Sequence, residues 1–349
     1  MSIPKHELDE FRAEVRAWFE ENKPADPGFL LPQSFMEVGT DEQFYFLRDW
    51  QRKVYEAGYL GMAWPKEYGG GGKPQALQDI VTREMVRQKV PFMTNTIGLN
   101  WAGPLILNMG SEEQKKAYIP GILSAEDIWC QGFSEPDNGS DLGNAQMKAI
   151  RDGKEFVLNG SKIWTSLGKH AKYMILLARS NANTNNKYEG LSFFLIPMLI
   201  PGVEVVPIRK LTGEYGFNQT FFTDARISDT CLIGKEGEGW KVAMATLAFE
   251  RGAIGGQAGG HSRSMSSARL RSPCPANSPA ANISVGSTSS HCRCKVPTPP
   301  IMSATISPMT VVSGSAPTSM PSPRPSVAAP RKFSTTSLAS VFSACRKAK

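Results

Sequence analysis

The sequence predicts an α+β fold. An N-terminal all-α domain leads into a central β-barrel or sandwich, and the start of a C-terminal helical bundle follows and is cut short. Three observations predict it. Apolar residues recur at helical spacing through the first 125 residues. From Ile128 the pattern changes to short β-prone runs separated by turn pairs. Near Gly239 a helical pattern returns, and beyond residue 260 no apolar periodicity continues. The expected domains are 1–125 (helical), 126–238 (β), 239–260 (first helix of the bundle) and 261–349 (low complexity).

In the first domain, Leu8, Phe11, Val15, Trp18 and Phe19 form one helical stripe. Phe44, Leu47, Trp50 and Val54 form a second, with Asp41 as the expected N-cap. A third helix is expected over Gln75–Gln88, stopped by Pro91, and a fourth over Trp101–Met109, stopped by Gly110. Ser111-Glu-Glu-Gln114 has the form of a capping box and starts a fifth. The run Gly69–Gly72 lacks the Gly-Lys-Ser/Thr ending of a phosphate loop, because Pro74 follows Lys73, and reads as a turn.

In the second domain, strands are expected over Ala145–Arg151 and Glu155–Leu158, joined by Asp152-Gly153. Asn159-Gly160 reads as a further turn leading into Lys162–Thr165. Tyr173–Ala178, Leu191–Pro197, Gly202–Pro207 and Gln219–Phe222 complete the expected set. Their close spacing favours a barrel or sandwich over alternating βαβ units.

Charge divides the chain. Residues 1–260 hold 28 Lys/Arg and 32 Asp/Glu, whereas 261–349 hold 11 Lys/Arg and no Asp or Glu. The overall +7 therefore comes entirely from the last 89 residues and argues for no nucleic-acid partner. The same segment contains 21 Ser, 12 Pro and four of the six cysteines. Such a composition predicts a disordered tail. It is also what an out-of-frame reading of a GC-rich gene yields. His291, Cys292 and Cys294 are too irregular for a metal site, so no metal is expected. The polar N-terminus lacks a secretory core, and the apolar run Leu191–Ile200 is too short to span a bilayer. A soluble cytoplasmic protein without membrane insertion is expected.

The chemistry concentrates in Trp129-Cys-Gln-Gly-Phe-Ser-Glu-Pro-Asp-Asn-Gly-Ser-Asp-Leu142. A β-run ends at the hydroxyl of Ser134, Glu135-Pro136 turns the chain, and Gly139-Ser140-Asp141 offers free backbone amides. Such a loop can hold a phosphate or pyrophosphate. Four further segments stand with it: Trp64-Pro-Lys-Glu-Tyr-Gly-Gly70, Gly110-Ser-Glu-Glu-Gln-Lys-Lys-Ala-Tyr-Ile-Pro120, Asn159-Gly-Ser-Lys-Ile-Trp-Thr-Ser166, and Phe222-Thr-Asp-Ala-Arg-Ile through Leu232-Ile-Gly-Lys-Glu-Gly-Glu-Gly-Trp240. Together, in this order, they resemble the FAD-dependent acyl-CoA dehydrogenase family.

The resemblance implies α,β-dehydrogenation of an acyl-CoA thioester with FAD as cofactor, electron-transfer flavoprotein as acceptor, and a homo- or hetero-oligomer. It implies that Phe133 and Ser134 present backbone and hydroxyl groups to the flavin ring. Ser140 would stand at the FAD pyrophosphate and the neighbouring thioester. Trp164 would pack beside the ring, with Thr165 and Ser166 at its edge. Glu250 is the candidate catalytic base, and Arg251 matches an arginine that orders the substrate site. The family's later Gly-rich motif has no counterpart after Gly260, so impaired activity is expected. Two other readings are a non-catalytic subunit of a heteromeric dehydrogenase, and an acyl-CoA oxidase or flavin monooxygenase relative.

Overall fold

The computed structural model describes residues 3–258. The expectations for 261–349, and for the last residues of the 239–260 helix, lie outside the described residues.

Five helices come first: α1 (Lys5–Asn22), α2 (Asp41–Glu56), α3 (Gln75–Arg87), α4 (Gly103–Met109) and α5 (Glu112–Ser124). The α1 stripe buries Val15 and Phe19 completely against Trp50, Val54, Tyr59 and Val81. Helix α2 is capped one residue earlier than its acidic start suggested. Thr40, not Asp41, is the N-cap, and its hydroxyl accepts from the Gln43 amide while the Gln43 side chain reaches back. A β-branched hydroxyl closes this reciprocal box, which leaves Asp41 in the first turn, where a negative charge faces the positive helix end. Helix α4 is entered through a π-helical turn, Gly98–Ala102, that the sequence pattern did not show. Gly103 is required there, since a Cβ would lie 2.3 Å from the Trp64 ring. Helix α5 has the expected Ser111/Gln114 capping box, and Gln114 also donates to the carbonyls of Thr230 and Leu232 at the far end of the β-region.

One buried amide joins the helices to the first strand. Asn95 donates to the carbonyls of Ile122 and Asp127 and accepts from the Trp129 amide, while its own backbone N–H donates to Gln51. Each bond satisfies a group that burial would otherwise leave unpaired.

Eight strands follow: β1 (Trp129–Gly132), β2 (Lys148–Asp152), β3 (Glu155–Lys162), β4 (Tyr173–Arg179), β5 (Leu191–Pro197), β6 (Val203–Ile208), β7 (Phe217–Ser228) and β8 (Leu232–Ile233). They form one curled mixed sheet in the order β6-β7-β3-β2-β4-β5-β8, with β1 parallel to β4. One face packs on the helices through Trp129, Phe133, Ile175, Leu177, Phe193 and Leu195. The other closes on itself, with Phe156 of β3 meeting Phe194 of β5 at 4.9 Å between ring centroids. Asn159-Gly160 is not a turn. Strand β3 runs through it, with a register shift against β7 between Leu158 and Gly160. Gly160 has φ 138°, and the bulge lets the strand bend without ending.

Helix α6 (Gly239–Ala258) sits on β5. Its start lies so close that a Cβ on Gly239 would fall 2.5 Å from the Ser192 carbonyl carbon. Among the described residues, no helix is long and apolar enough to cross a membrane, and no cluster of His, Cys, Asp and Glu could hold a metal ion.

Candidate flavin and acyl-CoA site

Strand β1 carries the first strip of the site. Its side chains alternate, so Trp129, Gln131 and Phe133 share the face turned to the helices, while Cys130 joins the inner core. Phe133 is buried and meets Phe193 edge-on. Ser134 is half-buried, at the point where the ladder ends and the loop begins.

The segment that leaves strand β3 carries the second strip, Trp164–Ser166. The two strips are joined directly: the Ile163 amide donates to the Ser134 carbonyl at 2.9 Å. Trp164 has a left-handed backbone, φ 61°, and is 55% exposed, with Phe217 edge-on at 5.8 Å. A non-glycine residue is costly in that region of backbone space, so its neighbours must hold it there. Thr165 supplies the hold. It exchanges backbone hydrogen bonds with Asn218 at 2.8 and 3.1 Å, and the Asn218 side chain adds a third at 2.9 Å. The Thr165 side chain is fully buried, with its hydroxyl 3.4 Å from that of Thr220. Ser166 is nearly buried beside it. Thus Phe133, Ser134, Trp164, Thr165 and Ser166 are brought together, and Trp164 is the one that stands open as an apolar surface.

The loop between the first strip and β2 carries Ser140, which is exposed. Two buried cations shape this loop. Lys162 donates to the Phe133 carbonyl at 3.0 Å and to Glu135 at 2.8 Å, and Glu135 accepts the amides of Gln146 and Met147. Burial pushes the Glu135 carboxyl up, but the charge and hydrogen bonds of Lys162 and those two amides outweigh it and hold it below the usual carboxylate range. Burial lowers Lys162 from the ordinary lysine value despite its partner. At the loop's other end Arg179 donates to four carbonyls, those of Gly143, Ala145, Lys187 and Glu189. Its neighbour Tyr188 meets Trp240 of α6 at a tilt, with ring centroids 4.8 Å apart.

Glu250 lies on α6, half-buried. Ala243, Thr246 and Leu247 form the stripe of that helix that meets the core, and Glu250 continues it at the next helical step. Arg251, one residue on, is exposed.

FAD fits the residues present. The Gln131 side-chain amide nitrogen is buried yet has no hydrogen-bond partner, on the same strand face as Phe133 and two residues from it. An orphaned donor at the end of β1, a half-exposed tryptophan and a loop with free amides match a ring with carbonyl and nitrogen acceptors and a pyrophosphate tail. Sequence reasoning missed Gln131, Arg179 and Asn218. Glu135 and Lys162 stood inside the quoted motifs, but only their burial shows what they do.

A helical region followed by one curled mixed sheet is the architecture that the comparisons match. Residues 5–126 match the acyl-CoA dehydrogenase N-terminal domain and residues 130–230 the acyl-CoA dehydrogenase middle domain. The chain belongs to the acyl-CoA dehydrogenase family. It is 38% identical over 257 residues to acyl-CoA dehydrogenase IpdE1 of Mycolicibacterium smegmatis, covering 70% of this chain and 65% of that protein. The solved Tcur3481-Tcur3483 steroid ACAD matches with TM-score 0.61 and 34% identity over 74% of this chain and 65% of that one. The ChsE4-ChsE5 complex from Mycobacterium tuberculosis matches with TM-score 0.55 and 29% identity over 71% and 61%. The chain spans just under two thirds of the length of these relatives.

Proposed function

We propose that this chain binds FAD against Phe133–Ser134 and Trp164–Ser166 and serves the α,β-dehydrogenation of an acyl-CoA thioester. The observation that carries the reading is the bonded pair of strips, with an open Trp164 beside a buried, unpartnered Gln131 amide. When bound, FAD supplies the hydride acceptor for the substrate β-carbon. The chain's own residues do the rest. Trp164 covers one face of the ring from water. The Ser134 hydroxyl and the Gln131 amide donate to polar atoms on its edge. Ser140 and the loop amides hold the pyrophosphate and the thioester end of the substrate. Glu250 takes the α-proton on a carboxylate oxygen, and Arg251 orders the substrate side of the same helix. Hydrogen bonds to the thioester oxygen matter most as charge develops there in the transition state. Electron-transfer flavoprotein as acceptor, a homo- or hetero-oligomeric assembly and a cytoplasmic location belong to the same proposal.

A second reading makes this chain one subunit of a heteromeric dehydrogenase, with part of the chemistry supplied by its partner. The pairing of two chains in the Tcur3481-Tcur3483 steroid ACAD and in the ChsE4-ChsE5 complex, to which the chain is similar, favours it. Anaerobic addition of a panel of acyl-CoAs to the FAD-loaded protein, followed by an artificial electron acceptor, tests both. Bleaching of the flavin by one of them supports the first reading. Bleaching only after a second subunit is added supports the other. A flavin that no acyl-CoA reduces in either setting contradicts both.

A further inference from the structure

The two strips that would flank the ring come from strands that are not neighbours. Strand β1 pairs only with β4, whereas β3 lies between β7 and β2. No ladder therefore sets Phe133–Ser134 against Trp164–Ser166, and apart from one backbone bond the connection runs through Lys162. Its ammonium reaches the Phe133 carbonyl and the Glu135 carboxylate, and that carboxylate reaches the amides of Gln146 and Met147. A single ion pair thus fastens three stretches of chain: the end of β1, the end of β3, and the return of the loop that carries Ser140. Lys162 is 0% exposed and Glu135 7%.

A buried ion pair is a weak source of stability, because desolvating both charges offsets most of their attraction. An apolar pair of similar volume would fill the space. It would also leave the Phe133 carbonyl without its donor and the two loop amides without their acceptor.

We propose that Lys162 and Glu135 are a positioning pair, which sets where Ser134 and Ser140 stand relative to Trp164–Ser166 and so sets the fit of the flavin. This rests on the FAD reading above. Neither side chain needs to touch the cofactor. The pair acts through the backbone on either side of it, and the loop of residues 136–145 hangs from its carboxylate as from a neck.

The full chain is compared with two variants. Lys162→Met strands a buried carboxylate and is expected to lose stability as well as flavin. The decisive variant is Glu135→Gln/Lys162→Met, which leaves no buried charge unpaired and keeps one side-chain acceptor oxygen for the two loop amides. Its melting temperature should fall far less than that of Lys162→Met alone. Its affinity for FAD should fall by about tenfold or more, because misplacing a binding group by about 1 Å is costly. The visible absorption bands of the bound flavin should shift, and amide hydrogen exchange should quicken across 134–147 while staying unchanged in α1 and α3. Parental FAD affinity and parental exchange in the double variant would overturn the proposal. So would exchange that rises everywhere along with a large fall in melting temperature, since that describes a purely structural pair. If the parent chain itself binds no FAD, the flavin reading falls. Exchange then decides the clasp alone, and unchanged protection at 134–147 overturns it.

Discussion

At the residue scale, Trp164 is the side chain whose role is simplest to test. It is large, apolar and half-open, and its backbone is held in a costly conformation by Thr165 and Asn218. Trp164→Ala should weaken FAD binding by about 1–3 kcal/mol, the value of an aromatic wall on one face of a ring. Flavin fluorescence titration measures it, and an unchanged affinity would mean that the ring lies elsewhere. Trp164, Ser134 and Ser140 are candidates the sequence offers because they sit in motifs. Gln131 was not, because an unpaired amide is a property of the fold and has no spacing to betray it. A second residue-scale test concerns Arg16 and Glu84, which join α1 to α3 through two hydrogen bonds of 3.1 Å. The Arg16 bonds hold the Glu84 carboxyl below its usual range against the push of burial. A carboxyl depressed in the folded chain stabilises it above the unfolded value of about 4.3, and that stability is lost as pH falls through the folded value. Arg16→Met should therefore lower the urea midpoint at neutral pH. The gap from the parent should narrow once the medium is acid enough to protonate Glu84 in the folded parent. A gap that stays constant over that range would contradict the account.

At the scale of elements, helices were read from their stripes and survived nearly whole, since one apolar face is enough to dock them. Ends were less legible. Asp41 and Thr40 are both good caps by type, and only the reach of Gln43 decides between them. Thr40→Ala should cost about 1 kcal/mol of stability, whereas Asp41→Ala removes no cap bond. Chemical denaturation measures the Thr40→Ala loss, and unchanged stability in that variant would argue against Thr40 as the cap. The π-helical turn before α4 was illegible because its residues, Gly98 to Ala102, keep an apolar rhythm that also suits an ordinary helix. Gly160 misled in the other direction. Asn-Gly is a strong turn signal, yet here the pairing of β3 with β7 on both sides of it overrides the local preference and leaves a bulge. Strand β8, two residues long, had no pattern to find.

At the scale of the whole molecule, the order of helices, curled sheet and returning helix was readable from changes of period alone, and the chain belongs to the acyl-CoA dehydrogenase family. What joins the parts was not readable. Asn95, Gln114 and Arg179 each link segments far apart in sequence, and each does so through backbone groups that leave no mark on composition. The proposal that 261–349 is an out-of-frame translation, made from its composition, is open to a direct check in the gene. Shifting the reading frame near the codon for Gly259 should reveal a helical continuation with a Gly-rich motif. If neither other frame contains one, the frameshift reading is wrong. A frame-corrected protein should then turn over saturated acyl-CoAs faster than the 349-residue chain, and equal turnover would contradict the expected impairment. The central claim is that strands β1 and β3 build a site for FAD, and equilibrium titration of the purified chain with FAD and with FMN tests it most directly. The account predicts stoichiometric FAD binding with a changed visible spectrum, and much weaker binding of FMN, which lacks the second phosphate and the adenosine. No binding of FAD, or equal binding of both, would contradict it.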